Sequence, residues 1–308
     1  MTAPEISVVL LTKDGGARFA EVLDGLFACD GIESAEVLVV DSGSTDGTAE
    51  RAAAHPGVAL HRIPAAEFGH GRTRNLGARL ARGRRLVFLV QDATPAGPDF
   101  LRRLTAPLAD PGVAAAYARQ VARPEADPVE RLYLEAVYPE RPEERSGAGA
   151  ARMGIQDMFF SNVASALWRE VWERFPFDES LVMSEDQQWA KAALRAGWRI
   201  VYEPCAVVLH SHHYPLARVF QRNFDSGASL QGIAEDPLPA LAAYELRQLA
   251  AGCRALARRG EAAWIPRLLA FEAARSAGFA AGRGERLLPR WLKRRLGLHK
   301  AWWERAGA

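Results

Sequence analysis

Val39-Val40-Asp41-Ser42-Gly43-Ser44-Thr45-Asp46-Gly47-Thr48 carries an apolar run into a turn of small and acidic residues. The run from Val37 to Val40 predicts a buried strand, because its apolar residues stop abruptly at polar and glycine positions. Ile6 to Leu11 is a second such run. Between them Ala17 to Phe27 sets Phe19, Val22, Leu23 and Leu26 at helical spacing, the crossover a parallel βαβ unit requires. Ligands of open α/β sheets bind beyond the carboxyl ends of the strands. Asp41 therefore stands where a carboxylate can accept hydrogen bonds from a base or ribose, and the turn glycines let backbone approach a ligand closely. A plain strand-to-helix turn, with Asp46 capping the next helix, accounts for the same residues.

The pattern repeats outward. Ala59 to Ile63 and Leu86 to Val90 read as further strands, with a helix from Thr73 to Ala81 between them, so the first ~120 residues predict a doubly wound sheet. Pro139 to Gly154 lacks periodicity and reads as a loop. A helix is expected from Ala164 to Glu173, another from Asp186 to Ala196 closed by Gly197, a strand from Ile200 to Leu209, and helices beyond Pro215.

Composition bounds the function. With 49% hydrophobic and 25% charged residues, the 308-residue chain suits a globular enzyme with a large core. A net charge of +2 gives no bulk attraction to nucleic acid. Cys29, Cys205 and Cys253 show no CxxC spacing, which supports neither a disulfide framework nor a zinc knuckle and fits a reducing compartment. With no run of 18 apolar residues and too short an apolar stretch after Glu5 for a signal segment, a cytoplasmic place is expected. Arg283 to Arg305 holds eight Lys or Arg against two Glu, interleaved with Trp291, Trp302 and Trp303. That mixture suits an anionic membrane surface, here the inner face of the cell membrane. It equally suits a helical tail that packs its tryptophans on the core.

Four further segments carry candidate chemistry. Leu89-Val90-Gln91-Asp92 places a carboxylate just past a buried strand, where Mg²⁺ or Mn²⁺ on a diphosphate would justify it. Phe68-Gly69-His70-Gly71-Arg72-Thr73-Arg74-Asn75 is a basic, glycine-bearing helix start suited to an anion, or else a solvated loop. In Ser184-Glu185-Asp186, Ser184 is a candidate cap, and one of the two acids is left free to act as a general base. His210 and His212 alternate onto one strand face and could bind metal or phosphate.

In this order the segments resemble the inverting family 2 glycosyltransferases of the GT-A fold, over about residues 5 to 225. Within that family the Phe68 to Asn75, Gln91 to Pro95, Ser184 to Trp189, His210 to His212 and Phe224 to Gly227 segments are similar to bacterial rhamnosyltransferases that use dTDP-L-rhamnose. The resemblance implies an α/β fold: a GT-A type, mostly parallel nucleotide-binding sheet flanked by helices. That domain would span residues 1–225, with a donor half at about 1–120 and an acceptor half at about 121–225, followed by a helical C-terminal extension over 226–308. It implies a nucleotide-sugar donor held by Thr12, Asp41, Ser44, Arg74, Asn75, Gln91 and Asp92, with Asp41 on the base. A divalent cation, Mg²⁺ or Mn²⁺, would sit at Asp92 with His210 and His212. Asp186, beside Glu185, would take the proton of an acceptor hydroxyl as its oxygen attacks the anomeric carbon, while the cation and Arg74 offset charge on the leaving diphosphate. The acceptor would be a saccharide or lipid-linked saccharide of cell-surface polysaccharide synthesis, and a β-linked donor would yield an α-L-rhamnoside. The chain departs from the family in one respect: Gln91-Asp92-Ala93 replaces the usual Asp-x-Asp, so a single carboxylate remains.

Other classes fit less well. Thr12-Lys13-Asp14-Gly15-Gly16 is a poor match to a nucleotidyltransferase loop, and the GxGxxG, GxSxG and Walker A patterns are absent. Transfer from a UDP- or GDP-linked sugar is one alternative. A non-catalytic membrane-surface scaffold is another, against which Asp41, Asp92 and Asp186 together count.

Overall fold

A computed structural model of the chain describes residues 4–305. Strands β1 (Ile6–Thr12), β2 (Glu36–Asp41), β3 (Val58–Arg62) and β4 (Arg85–Val90) lie in the order β3-β2-β1-β4, and every pair is parallel. Their continuous apolar runs follow from cover on both faces. Val8 and Leu10 pack in one core with Phe19, Val22 and Leu26 of helix α1 (Gly16–Phe27) and Ala52 of α2 (Thr48–Ala54). Val9 and Leu11 point the other way, into a core with Ala78 of α3 (His70–Leu80).

Next along the chain come β5 (Thr94–Pro95), α4 (Phe100–Thr105), β6 (Val113–Val121), α5 (Pro128–Val137), β7 (Glu143–Ser146), β8 (Ala164–Trp168), α6 (Arg169–Arg174), α7 (Glu185–Arg195) and β9 (Arg199–Leu209). The sheet continues as β4-β8-β6-β9-β5, with β7 also beside β9. β8 runs antiparallel to β4 and β6, whereas β6 and β9 are parallel. Consequently β1, β2, β4, β6 and β9 all end at one edge, and β8 begins there.

Two expectations are corrected. Ala164 to Glu173 is a strand followed by a short helix: Ala164, Ser165, Ala166 and Leu167 are all at most 2% exposed, bridging β4 and β6 in the sheet. Over so few small residues helical and strand patterns coincide, and the long-range ladder decides. The Pro139–Gly154 segment includes β7, paired antiparallel with β9.

The C-terminal helices are α8 (Leu216–Leu230), α9 (Leu238–Arg258), α10 (Ile265–Arg283), α11 (Arg290–Leu296) and α12 (Lys300–Arg305). None is long and apolar enough to cross a membrane. α8 and α10 touch backbone to backbone: a Cβ at Gly227 would lie 2.2 Å from the Phe279 carbonyl oxygen, and one at Gly278 would lie 2.3 Å from that of Phe220. The division expected at residue 225 falls inside α8. Asp225 in fact clasps the chain end, accepting from Leu298 N (3.0 Å), His299 N (2.9 Å) and Trp303 Nε1 (2.8 Å). Trp303 is buried and Trp302 half-buried, so these two tryptophans pack on the protein.

Candidate active site

The strand ends are laced together at the shared edge. Thr12 and Asp41 are register partners, and Ser42 N donates to Thr12 O at 2.9 Å. Thr12 Oγ1 (2.9 Å) and Lys13 N (2.7 Å) both donate to Gln91 Oε1, which joins the ends of β1 and β4. Asp41 accepts from Gly43 N (3.1 Å), Ser44 N (3.0 Å) and the Ser44 hydroxyl, so its carboxylate shapes the turn that follows it. Gly43 and Gly47 adopt φ of 80° and 86°, which only glycine takes without strain. Asp46 accepts from Thr48 N (3.0 Å) and from Gly16 N (2.9 Å), bracing two turns at once. Hydrogen bonds, first from the Thr48 hydroxyl, hold its carboxyl below the usual range.

Asp92, His210 and His212 converge, their ligand atoms all within 4.8 Å of one another. His210 Nε2 lies 3.5 Å from one Asp92 oxygen and His212 Nδ1 lies 3.6 Å from the other. His210 Nδ1 is 2.8 Å from Gln120 Oε1, and Gln120 Nε2 donates to the Tyr138 hydroxyl (2.6 Å) and Ser161 Oγ (3.1 Å). With the amide so held, Nδ1 carries the proton and the Nε2 lone pair faces Asp92, the arrangement a metal-ligating histidine needs. Burial first, and then the neighbouring His210, push His212 down to about 3, so it is a neutral imidazole at physiological pH. One carboxylate and two imidazoles are a donor set that suits a divalent transition ion such as Mn²⁺ better than Mg²⁺. Buried Arg123 fixes the loop carrying Asp92 by donating to Asp92 O (3.0 Å), Thr94 Oγ1 (2.8 Å) and Glu21 Oε2 (2.8 Å).

At the start of α7 the two acids have separate fates. Glu185 is buried against Arg74, Oε1 to Nη1 at 2.6 Å. Half-buried Asp186 accepts from Asn162 N (3.1 Å) and Gln187 N (2.9 Å). Burial, reinforced by the charge of Glu185, raises its carboxyl to about 7, where a general base works best. Asn162 follows Ser161, which bonds Gln120, so one chain of contacts links Asp186 to the His210 side of the cluster.

Several expected roles change. Arg74 is 6% exposed and ion-paired through Nη1 with Glu185, so the two expected site residues are partners of each other. Asn75 spends its whole amide on structure: Nδ2 donates to Phe177 O and Glu179 Oε1 (both 2.9 Å), and Oδ1 accepts from Trp172 Nε1 (2.9 Å) and Phe177 N (3.0 Å). Ser184 sits at φ 62° and makes no capping bond. Sequence reasoning missed Gln120, Tyr138 and Arg123. The one available signal was a polar Gln120 within the largely apolar run of β6.

A half-parallel, half-mixed sheet whose strand ends gather a carboxylate–histidine cluster and a raised carboxyl is the frame of a nucleotide-sugar-using transferase. Residues 7–175 match the family described as glycosyl transferase family 2, and the chain belongs to that family; it is a glycosyltransferase. It is 30% identical over 304 residues to the O-antigen chain rhamnosyltransferase RfbN of Salmonella typhimurium, covering 97% of this chain and 96% of that protein. It is 29% identical over 306 residues to the O-antigen chain rhamnosyltransferase WbaN of Salmonella anatum, with the same coverage. Among solved structures, the mannosyltransferase PcManGT from Pyrobaculum calidifontis, in complex with GDP-Man and Mn²⁺, superposes with a TM-score of 0.62 at 23% identity, covering 93% of this chain and 88% of that one. TarS 1–349 of S. aureus, in complex with UDP-GlcNAc, does so with a TM-score of 0.54 at 14% identity, covering 92% and 91%. These two likenesses concern the fold.

Proposed function

We propose that the protein transfers L-rhamnose from dTDP-L-rhamnose, with inversion, to a hydroxyl of a saccharide or lipid-linked saccharide in cell-surface polysaccharide synthesis. The observation that carries this reading is that both O-antigen rhamnosyltransferase relatives align over nearly their whole length. In this account the nucleoside end of the donor meets the turn fixed by Asp41, Ser44 and Thr12. Asp92, His210 and His212 hold a divalent ion, for which Mn²⁺ is the better match, and the bound ion supplies positive charge to the leaving diphosphate. Asp186 accepts the acceptor's proton. The active site is reached from the cytoplasm, and the exposed side chains of Leu287 and Trp291, flanked by exposed Arg286, Arg290 and Arg295, rest on the anionic inner face of the cell membrane.

Transfer from dTDP-L-rhamnose to a lipid-linked acceptor fraction tests the reading, with the anomeric configuration of the product read by NMR. An α-L-rhamnoside formed by the wild-type protein, with kcat lowered roughly 10²- to 10⁴-fold in Asp186→Asn, is expected. A β-linked product, or Asp186→Asn at wild-type rate, would overturn it.

A further inference from the structure

Several partly buried arginines of this protein are paired with carboxylates. Arg74 meets Glu185, Arg123 meets Glu21, Arg145 meets Glu143, and Arg275 meets Glu272 and Glu245. Arg222 of α8 is half-buried yet, like Arg169 and Arg283, has no carboxylate within 4.0 Å among the described residues; Arg169 donates instead to the carbonyls of Ala78, Ala81 and Gly83. Arg218, one turn earlier on the same face, is also without one; its guanidinium lies 5.3 Å from the centroid of the Tyr214 ring. Tyr214 in turn stacks on His212, with centroids 4.5 Å apart and planes 11° from parallel, and His212 Nδ1 is 3.6 Å from Asp92. A ladder thus runs from the helix cations through two rings to the cluster that holds the metal.

On the other side, His70 and His299 place their Nε2 atoms 3.2 Å apart, His299 being set there by the clasp of Asp225. Burial, and then positive neighbours that include Arg222, depress His70 and His299, while on the cluster side the charge of Asp92 acts on Arg222. A guanidinium withdrawn from water without a directly paired carboxylate is costly. Its position beside a cation site for phosphate oxygens supplies a reason for it to be left open.

We infer that Arg222, seconded by Arg218, is the protein's direct contact to a diphosphate bound at the Asp92 cluster, the part first expected of Arg74. The inference rests on the nucleotide-sugar reading above. The same chemistry is offered by the diphosphate of the donor and by that of a lipid-linked acceptor, and the planar guanidinium fork suits either.

Arg222→Gln and Arg222→Lys keep the side-chain stem and differ in charge. The two arms are titration of dTDP in the presence of Mn²⁺, and the KM for a lipid-diphosphate-linked acceptor at saturating donor. Should the wild-type protein prefer UDP or GDP, that nucleotide replaces dTDP. Loss of dTDP affinity of about tenfold or more in Arg222→Gln, with Arg222→Lys intermediate, assigns the contact to the donor. The same pattern in the acceptor KM with dTDP affinity unchanged assigns it to the acceptor. Arg222→Gln within about twofold of wild type in both arms, or Arg222→Lys no better than Gln, overturns the inference. A wild-type protein that binds no nucleoside diphosphate overturns the nucleotide-sugar reading along with it.

Discussion

Gln120 Oε1 and His210 Nδ1 stand 2.8 Å apart, and this contact determines what His210 presents to Asp92. The glutamine is itself anchored by Tyr138 and Ser161, so three segments distant from His210 in sequence set its tautomer. A family motif would have placed two carboxylates here. The present protein has one, with His210 and His212 beside it offering two further ligand atoms.

Gln120→Leu should therefore lower Mn²⁺ affinity by about 10- to 100-fold while Asp92, His210 and His212 stay in place. Titration with Mn²⁺ followed by electron paramagnetic resonance measures it. Unchanged affinity would show that His210 needs no second partner.

The pH dependence of kcat/KM should rise to a plateau above pH about 7, the value to which Asp186 is raised. Below that pH the base carries a proton and cannot accept another. Glu185→Gln removes the charge that reinforces the shift, so the acid limb should move to lower pH. An acid limb that stays where it was would separate Glu185 from the base.

Asp186 also has a stability consequence. Between the usual carboxylate range and pH about 7 the folded protein keeps a proton that the unfolded chain has lost, so stability falls as pH rises through that window. Asp186→Asn should abolish that dependence and be the more stable protein above pH 7. Urea midpoints at several pH values give the comparison.

The parallel strands β1, β2 and β4 were legible because each ends in an abrupt change from apolar to polar residues, and Asp41 and Asp92 stand at those ends. Convergence of His210 and His212 on Asp92 also agrees with the sequence reading. The small-residue strand at Ala164–Trp168 was not legible, since its identity depends on ladders to β4 and β6, which are distant in sequence. Nor could the sequence tell Arg74 and Asn75 from ligand-binding residues: the Phe68–Asn75 segment has the charge of an anion site, and only the fold brings Glu185 and Phe177 against it.

Asn75→Ala should accordingly destabilise the protein by about 3 kcal/mol, because several buried groups lose their partner together. Donor affinity of the folded fraction should match wild type. Denaturant melts alongside dTDP titration check both, and a donor-specific loss at unchanged stability would restore Asn75 to the binding site.

The most direct test of the central claim, a nucleotide sugar held through the Asp92–His210–His212 cluster, is isothermal titration with dTDP-L-rhamnose, UDP-glucose, UDP-galactose and GDP-mannose. It is run with Mn²⁺ and with chelator, on wild type and Asp92→Ala. The account predicts preference for dTDP-L-rhamnose, weakened by chelator and by the substitution. Preference for another donor would contradict the rhamnose assignment, and binding indifferent to both chelator and Asp92→Ala would contradict the cluster's role.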